Sequence, residues 1–195
     1  MRIIAGSARG RTLVAPPGSR TRPTQDAVRE SLFNILQQEV ADARVLDLFA
    51  GSGALALESL SRGAQHAVLV DKSPATMQVI RRNIAHAGFD QQCTCLCCDW
   101  QAAMTRLRAQ QACFDLVFLD PPYDLPVLDT ACAELERAGL LAPQAILVLE
   151  HRTGDVLHPM LPLVQTDARK YGGTTLTILR REENHDADSD LSRQL

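Results

Sequence analysis

The chain has 195 residues, which suits one α/β domain with modest additions and leaves too little for a second full domain. Hydrophobic residues make up 46%, enough for a large core, but the longest apolar runs, such as residues 145–149, cannot span a bilayer. Residues 1–6 lack the apolar stretch of a signal peptide, so a cytoplasmic location is expected. A net charge of −3 argues against a generic nucleic-acid binder, yet the charge is uneven. Arg2, Arg9, Arg11, Arg20, Arg22 and Arg29 crowd the front against Asp26 and Glu30, whereas Glu182, Glu183, Asp186, Asp188 and Asp190 fill the tail against Arg193. A basic patch at the front is therefore expected beside an acidic, disordered tail.

In chain order, residues 2–4 and 12–14 are expected to pair as a small hairpin across the segment from Gly6 to Gly10. Residues 15–19 read as a turn. Thr24 reads as an N-cap, followed by Val28, Leu32, Ile35 and Leu36 at helical spacing. From Arg44 the pattern alternates. A strand over residues 45–49 runs into a glycine loop, and a helix follows over residues 54–61. The second strand covers residues 66–70 and the second helix residues 74–87, with Pro74 in its first turn. A third strand is expected over residues 93–98, a fourth over 114–119 and a fifth over 145–149. Alternation of this kind builds a parallel sheet with helices on both faces. Residues 163–170 and 174–179, joined by Gly172-Gly173, read as an antiparallel hairpin closing the sheet edge.

Cys93, Cys95 and Cys97 alternate along the third strand and are expected to share one face as packing residues. A zinc site normally needs a second ligand pair, and Cys95-x-x-Cys98 has none, so no metal is expected.

In a doubly wound sheet, ligands bind at the carboxyl ends of the strands, and four unusual segments fall there. The first is Asp47-Leu48-Phe49-Ala50-Gly51-Ser52-Gly53, whose glycines permit a sharp turn and close approach of backbone to ligand. Gly51, Gly53 and Ala56 also fit G-x-G-x-x-A, so a nicotinamide cofactor is an alternative. The second is Asp71, about 20 residues past the loop, where an acid can grip ribose hydroxyls. The third is Asp99-Trp100; Asp99 can accept from an adenine amine or cap the next helix. The fourth is Asp120-Pro121-Pro122-Tyr123. Asp120 and the Pro121 carbonyl can both accept hydrogen bonds from one amino group, while Tyr123 can stack on an extruded base. Hydride transfer has no use for that constellation.

Residues 47–53 resemble motif I of the class I S-adenosylmethionine-dependent methyltransferases. Residues 120–123 resemble motif IV of the branch that methylates exocyclic amines. The chain up to about Arg181 resembles the bacterial RsmD family of 16S ribosomal RNA guanine-N2 methyltransferases. That resemblance rests on Arg2-Ile3-Ile4-Ala5-Gly6, Arg9-Gly10-Arg11, Arg22-Pro23-Thr24, residues 28–34 and residues 47–55. It implies a Rossmann-like, mostly parallel sheet with an antiparallel C-terminal edge hairpin and a small N-terminal hairpin-helix extension. The expected division of the chain is a basic arm, hairpin and helix over 1–40, a catalytic domain over 41–181 and an acidic, disordered tail over 182–195. The implied cofactor is S-adenosylmethionine, held by Asp47, Ala50, Gly51, Ser52, Gly53, Asp71, Lys72, Asp99 and Trp100. The implied catalytic set is Asp120, Pro121, Pro122 and Tyr123. The implied partner is 16S ribosomal RNA in an assembled or partly assembled small subunit, gripped by Arg2, Arg9, Arg11, Arg20 and Arg22, with the enzyme acting as a monomer. A DNA adenine-N6 methyltransferase is the nearest alternative, and a non-catalytic ribosome-binding module a further one.

Overall fold

The computed structural model describes residues 1–16, 23–122 and 126–182. Its centre is a seven-stranded sheet. The strands are β1 (Arg44–Asp47), β2 (His66–Val70), β3 (Cys93–Leu96), β4 (Phe114–Leu119), β5 (Leu141–Arg152), β6 (Leu163–Tyr171) and β7 (Thr174–Arg181). Their order across the sheet is β3-β2-β1-β4-β5-β7-β6. The first five run parallel, and β7 pairs antiparallel with both β5 and β6. The helices are α1 (Pro23–Leu36), α2 (Ala54–Ser61), α3 (Pro74–Ala87), α4 (Trp100–Ala109) and α5 (Leu128–Arg137).

Period-two alternation along the buried strands sorts side chains between two cores. Val45, Leu116, Phe118, Ile146 and Val148 face one side, packed against Leu32, Phe33 and Leu36 of α1, Leu57 of α2 and Ile80 of α3. Leu46, Val117, Leu119, Leu147 and Leu149 face the other, under Met104 and Leu107 of α4 and Leu135 of α5. Local signals explain the helix ends. Ser73 caps α3 by accepting from the Thr76 N–H at 3.2 Å, Pro74 opens it, and Gly88 ends it at φ 76°.

The structure adjusts several expected boundaries. The helix α1 begins at Pro23, so Thr24 lies inside its first turn rather than at the N-cap. The strand β3 stops at Leu96; Cys93 and Cys95 pack against the core, whereas Cys97 lies beyond the strand and is exposed. The shared thiol face therefore ends at two residues, because the chain must leave the sheet to reach Asp99. The strand β5 starts earlier than residue 145, with Gln144 at φ 59° and a register irregularity against β4. The expected hairpin at the front is one antiparallel bridge, Arg2 to Thr12, flanked by hydrogen bonds from Ile3 to Arg11 (3.0 Å) and from Leu13 to Met1 (2.9 Å).

That front segment is bolted to the domain. Ile3, Ala8 and Leu13 enter the same core as α1, α2 and α3. The Glu58 carboxylate on α2 accepts from the Ile4 N–H at 2.7 Å and the Ala5 N–H at 3.0 Å. The Ser61 hydroxyl accepts from the Ala8 N–H at 3.0 Å. Gly6 sits so close to α2 that a Cβ would come 1.7 Å from the Ser61 carbonyl oxygen, so no other residue fits. On α3, Asn83 exchanges hydrogen bonds with the Val14 backbone, both at 2.8 Å, and donates to the Ser52 carbonyl at 2.9 Å.

Candidate active site

The sheet order changes direction at β1, with β2 and β3 on one side and β4 on the other. A crevice therefore opens above the carboxyl ends of β1 and β4. The loop leaving β1 hangs across it. The Leu48 N–H donates to the Phe118 carbonyl at 3.1 Å, and the Ala50 N–H donates to the Val70 carbonyl at 2.9 Å. Gly51 and Gly53 both adopt positive φ, 54° and 77°. At Gly53 the space is also short, since a Cβ would stand 3.0 Å from Leu69 Cδ2. At Gly51 a Cβ would meet only the Phe49 carbonyl at 3.9 Å, so that side of the backbone is open to a ligand. Asp71, just past β2, braces the loop. Its Oδ2 accepts from the Gly51 N–H at 3.3 Å and its Oδ1 from the Ser73 N–H at 2.8 Å.

Three acids gather at this end of the sheet. Asp47, Asp120 and Glu150 each stand two residues beyond a strand residue of the same core, namely Val45, Phe118 and Val148. The alternation that buries those three sends the acids to the same face of the sheet. The register Leu119↔Leu149 makes Asp120 and Glu150 neighbours on adjacent strand ends. Asp47 is 1% exposed, and its Oδ1 has no hydrogen-bond partner among the described residues. Burial, reinforced by the Asp71 charge and partly offset by the Ala56 and Phe49 N–H groups, pushes its carboxyl up to about 7. Burial, then the charges of Glu150 and Asp47, raises Asp120 well above the usual carboxylate range. An anionic ligand would worsen this repulsion, whereas a cationic one would relieve it.

The other expected site residues fall as follows. Ala50 and Ser52 are buried in the loop, and the Ser52 hydroxyl donates to the Met1 sulfur at 3.2 Å. Lys72 is exposed next to Asp71. Asp99 caps α4, its Oδ1 accepting from the Ala102 N–H at 2.8 Å. Trp100 packs into the core under α4 and is 8% exposed. Pro121 is buried and Pro122 exposed. Both border a cleft of about 310 Å³ whose lining also includes Val127, Asp155, Val156 and Leu157. Tyr123, Arg20, Arg22 and the tail beyond residue 182 lie outside the described residues. Arg2 and Arg9 are exposed, and Arg11 donates to the His86 carbonyl at the end of α3 at 2.7 Å. Among the described residues no three His, Cys, Asp or Glu side chains are grouped to hold a metal.

Glu150 was not among the residues singled out from sequence. The signal was present, because it is an acid directly after the apolar run 145–149, the same pattern that marks Asp47, Asp71, Asp99 and Asp120.

A protein-family profile described as Conserved hypothetical protein 95 matches residues 1–180. The Escherichia coli K12 protein named Ribosomal RNA small subunit methyltransferase D is 36% identical over 194 residues, covering 97% of this chain and 94% of its own. The Bacillus subtilis protein YlbH is 34% identical over 182 residues, covering 93% and 99%. The solved structure of yhhF from Escherichia coli superposes with a TM-score of 0.82 at 35% identity, over 93% of this chain and 98% of that one. With the profile spanning both the front segment and the sheet, and with such relatives aligned nearly end to end, the chain belongs to the Conserved hypothetical protein 95 family, the RsmD methyltransferases.

Proposed function

We propose that the protein transfers a methyl group from S-adenosylmethionine to the exocyclic N2 amine of a guanine in 16S ribosomal RNA of the small subunit. The observation that carries this reading is the pair of Asp120 and the buried Asp47 beside an open glycine loop, at the point where the sheet order reverses. The Asp47 Oδ1, without a partner among the described residues, and the raised carboxyls fit a cofactor bearing a sulfonium and an ammonium, and they disfavour the pyrophosphate of a nicotinamide dinucleotide. Gly51, Gly53 and Asp71 form the cradle, with Lys72, Asp99 and Trp100 at its rim. The name of the Escherichia coli relative supports ribosomal RNA of the small subunit as the substrate class.

Held there, S-adenosylmethionine would supply a methyl group on cationic sulfur, which the N2 lone pair would take as the carbon–sulfur bonding pair returned to sulfur, giving S-adenosylhomocysteine and a surplus proton on nitrogen. The amine is a poor nucleophile, since its lone pair is delocalised into the ring. Asp120 and the Pro121 carbonyl accept its two N–H groups and favour a pyramidal nitrogen aimed at the methyl. Pro121 and Pro122 hold that carbonyl rigid, and Tyr123 stacks on the base. The surplus proton departs to Asp120 or to water. Asp47 and Asp120 ionise more readily once a cation lies against them, so cofactor binding and deprotonation are linked. Arg2, Arg9, Arg11, Arg20 and Arg22 grip RNA phosphates.

The test is incubation with labelled S-adenosylmethionine and, separately, small-subunit particles, free ribosomal RNA and DNA, followed by digestion to nucleosides. N2-methylguanosine from particles or RNA is the expected product. Label in N6-methyladenine from DNA, or none at all, overturns the reading.

A further inference from the structure

Asp120 serves the amine, which leaves its neighbour Glu150 without a role in the reaction. Glu150 lies within β5, two residues before its end and one strand away, on the same face and at the same height as Asp120, and it also borders the cleft beside Pro121 and Pro122. Adjacent strand ends stand about 4.8 Å apart. Two carboxylates at that spacing offer acceptors to two neighbouring donors on one base edge. Bases that carry an exocyclic amine differ in what lies beside it. In adenine the N6 amine adjoins N1, an acceptor; in cytosine the N4 amine adjoins N3, an acceptor. Only in guanine does the amine, N2, adjoin a ring N–H, at N1. A second carboxylate next to the amine's acceptor therefore repels adenine and cytosine and matches guanine.

We propose that Glu150 is the residue that specifies guanine, by accepting the N1–H hydrogen bond while Asp120 accepts from N2. The proposal rests on the methyltransferase reading above and adds the means by which the base is chosen. A carboxylate offers about four acceptor positions, so other contacts of Glu150 leave room for this one. A base edge that meets one of the two carboxylates with an acceptor of its own sets like partial charges face to face, which makes such a site more selective than an apolar pocket. Val156 and Leu157 add apolar surface to the lining of the same cleft.

The probe is 2-aminopurine, which keeps the amine at C2 but presents N1 as an acceptor without hydrogen. Small-subunit particles are assembled with guanine or 2-aminopurine at the methylated position. Single-turnover methyl transfer is then measured for the full-length protein, for Glu150→Gln and for Glu150→Ala, with S-adenosylhomocysteine affinity determined by calorimetry on each. The wild-type protein should prefer guanine by at least about tenfold. Glu150→Ala should shrink that preference to about twofold, Glu150→Gln should lie between, and cofactor affinity should hold within about twofold in both. An equal preference in wild type and Glu150→Ala, or a wild-type protein indifferent to the two bases, overturns the proposal. The second criterion needs no variant, so it decides even if the variants fail to fold. If guanine N2 is methylated and the preference ignores Glu150, only this inference falls. If no guanine is methylated, the proposed reaction falls and this goes with it.

Discussion

Glu58 and Asp47 are equally hidden and belong to the same strand–loop–helix unit, Asp47 at the end of β1 and Glu58 within α2, yet the protein treats them in opposite ways. Glu58 is 0% exposed and accepts from the Ile4 and Ala5 N–H groups and from Arg62 Nε at 2.8 Å, with Arg29 Nε at 3.8 Å. Asp47 is 1% exposed, has one oxygen without a partner among the described residues, and lies near Asp71 and Asp120 rather than near a cation. The chain itself completes the first acid; the second keeps one oxygen without a partner among the described residues, which is the place the proposed cofactor would fill. A buried charge that is fully partnered reports on assembly, and one left unfinished at a strand end reports on function.

The sharpest way to break this contrast is to delete each kind of acid and compare the consequences. Glu58→Ala leaves Arg29, whose side chain is 6% exposed, as a buried cation facing a gap, and it frees the front segment from α2. Urea unfolding should show a loss of about 3–5 kcal/mol. A stability within about 0.5 kcal/mol of wild type would mean that the clasp does not hold the arm. Asp120→Ala should have the inverse signature. Single-turnover methyl transfer should fall by about 10²-fold or more, with stability retained and S-adenosylhomocysteine affinity nearly so. A fall in rate accounted for wholly by weaker cofactor binding would move Asp120 out of the chemical step.

The pH dependence sharpens the same comparison. Asp47 is raised from 3.8 to about 7 in the folded protein. Between those values the native state holds a proton that the unfolded chain has released. Its contribution to stability is therefore full below about 4 and is lost as pH rises through about 7. The cofactor-free protein should lose up to about 1.4 kcal/mol per pH unit in that window from this one group, and Asp120, raised as well, acts in the same direction. Asp47→Asn should flatten the slope of urea midpoint against pH. Parallel curves for variant and wild type would show that Asp47 is ionised and satisfied after all.

Much of this was legible in the sequence, for physical reasons that can be located. The elements β2, α2, α3 and β4 have the expected bounds because each carries its own punctuation: Gly53 before α2, Ser73-Pro74 before α3, Gly88 after it, and Asp120-Pro121 after β4. The limits of β3 and β5 were less clear. Alternating cysteines continue past Leu96 without a breaker, and the irregular start of β5 depends on its pairing with β4, a long-range contact. In the site, the strand-end acids could be read one by one. Their common face needed the register of β4 with β5, which no local pattern displays; Asp120 stood out by the Pro-Pro-Tyr that follows it, whereas Glu150 has no such neighbours. The clasp of Glu58 and Asn83 on the front segment was illegible, since both look like ordinary polar residues of amphipathic helices.

The smallest expected effect concerns the arginines of that clasped segment. Because Ile3, Ala8 and Leu13 are in the core, the segment presents its cations as a fixed surface rather than a loose tail. Arg2 and Arg9 are exposed, whereas the Arg11 guanidinium is engaged with the His86 carbonyl at the end of α3. Their roles should separate accordingly. Removing an arginine that neutralises one phosphate should lower the slope of log affinity against log salt by about 0.7–0.9. The double variant Arg2→Ala/Arg9→Ala should show that flattening with unchanged unfolding free energy. Arg11→Ala should instead cost about 0.3–1 kcal/mol of stability, the worth of a cation at a helix carboxyl end, with a smaller change in salt slope. Filter binding of small-subunit particles at several salt concentrations, beside urea unfolding of the same variants, reads both quantities. If the double variant keeps the wild-type salt slope, the segment is a structural clasp alone and the RNA is held by another surface.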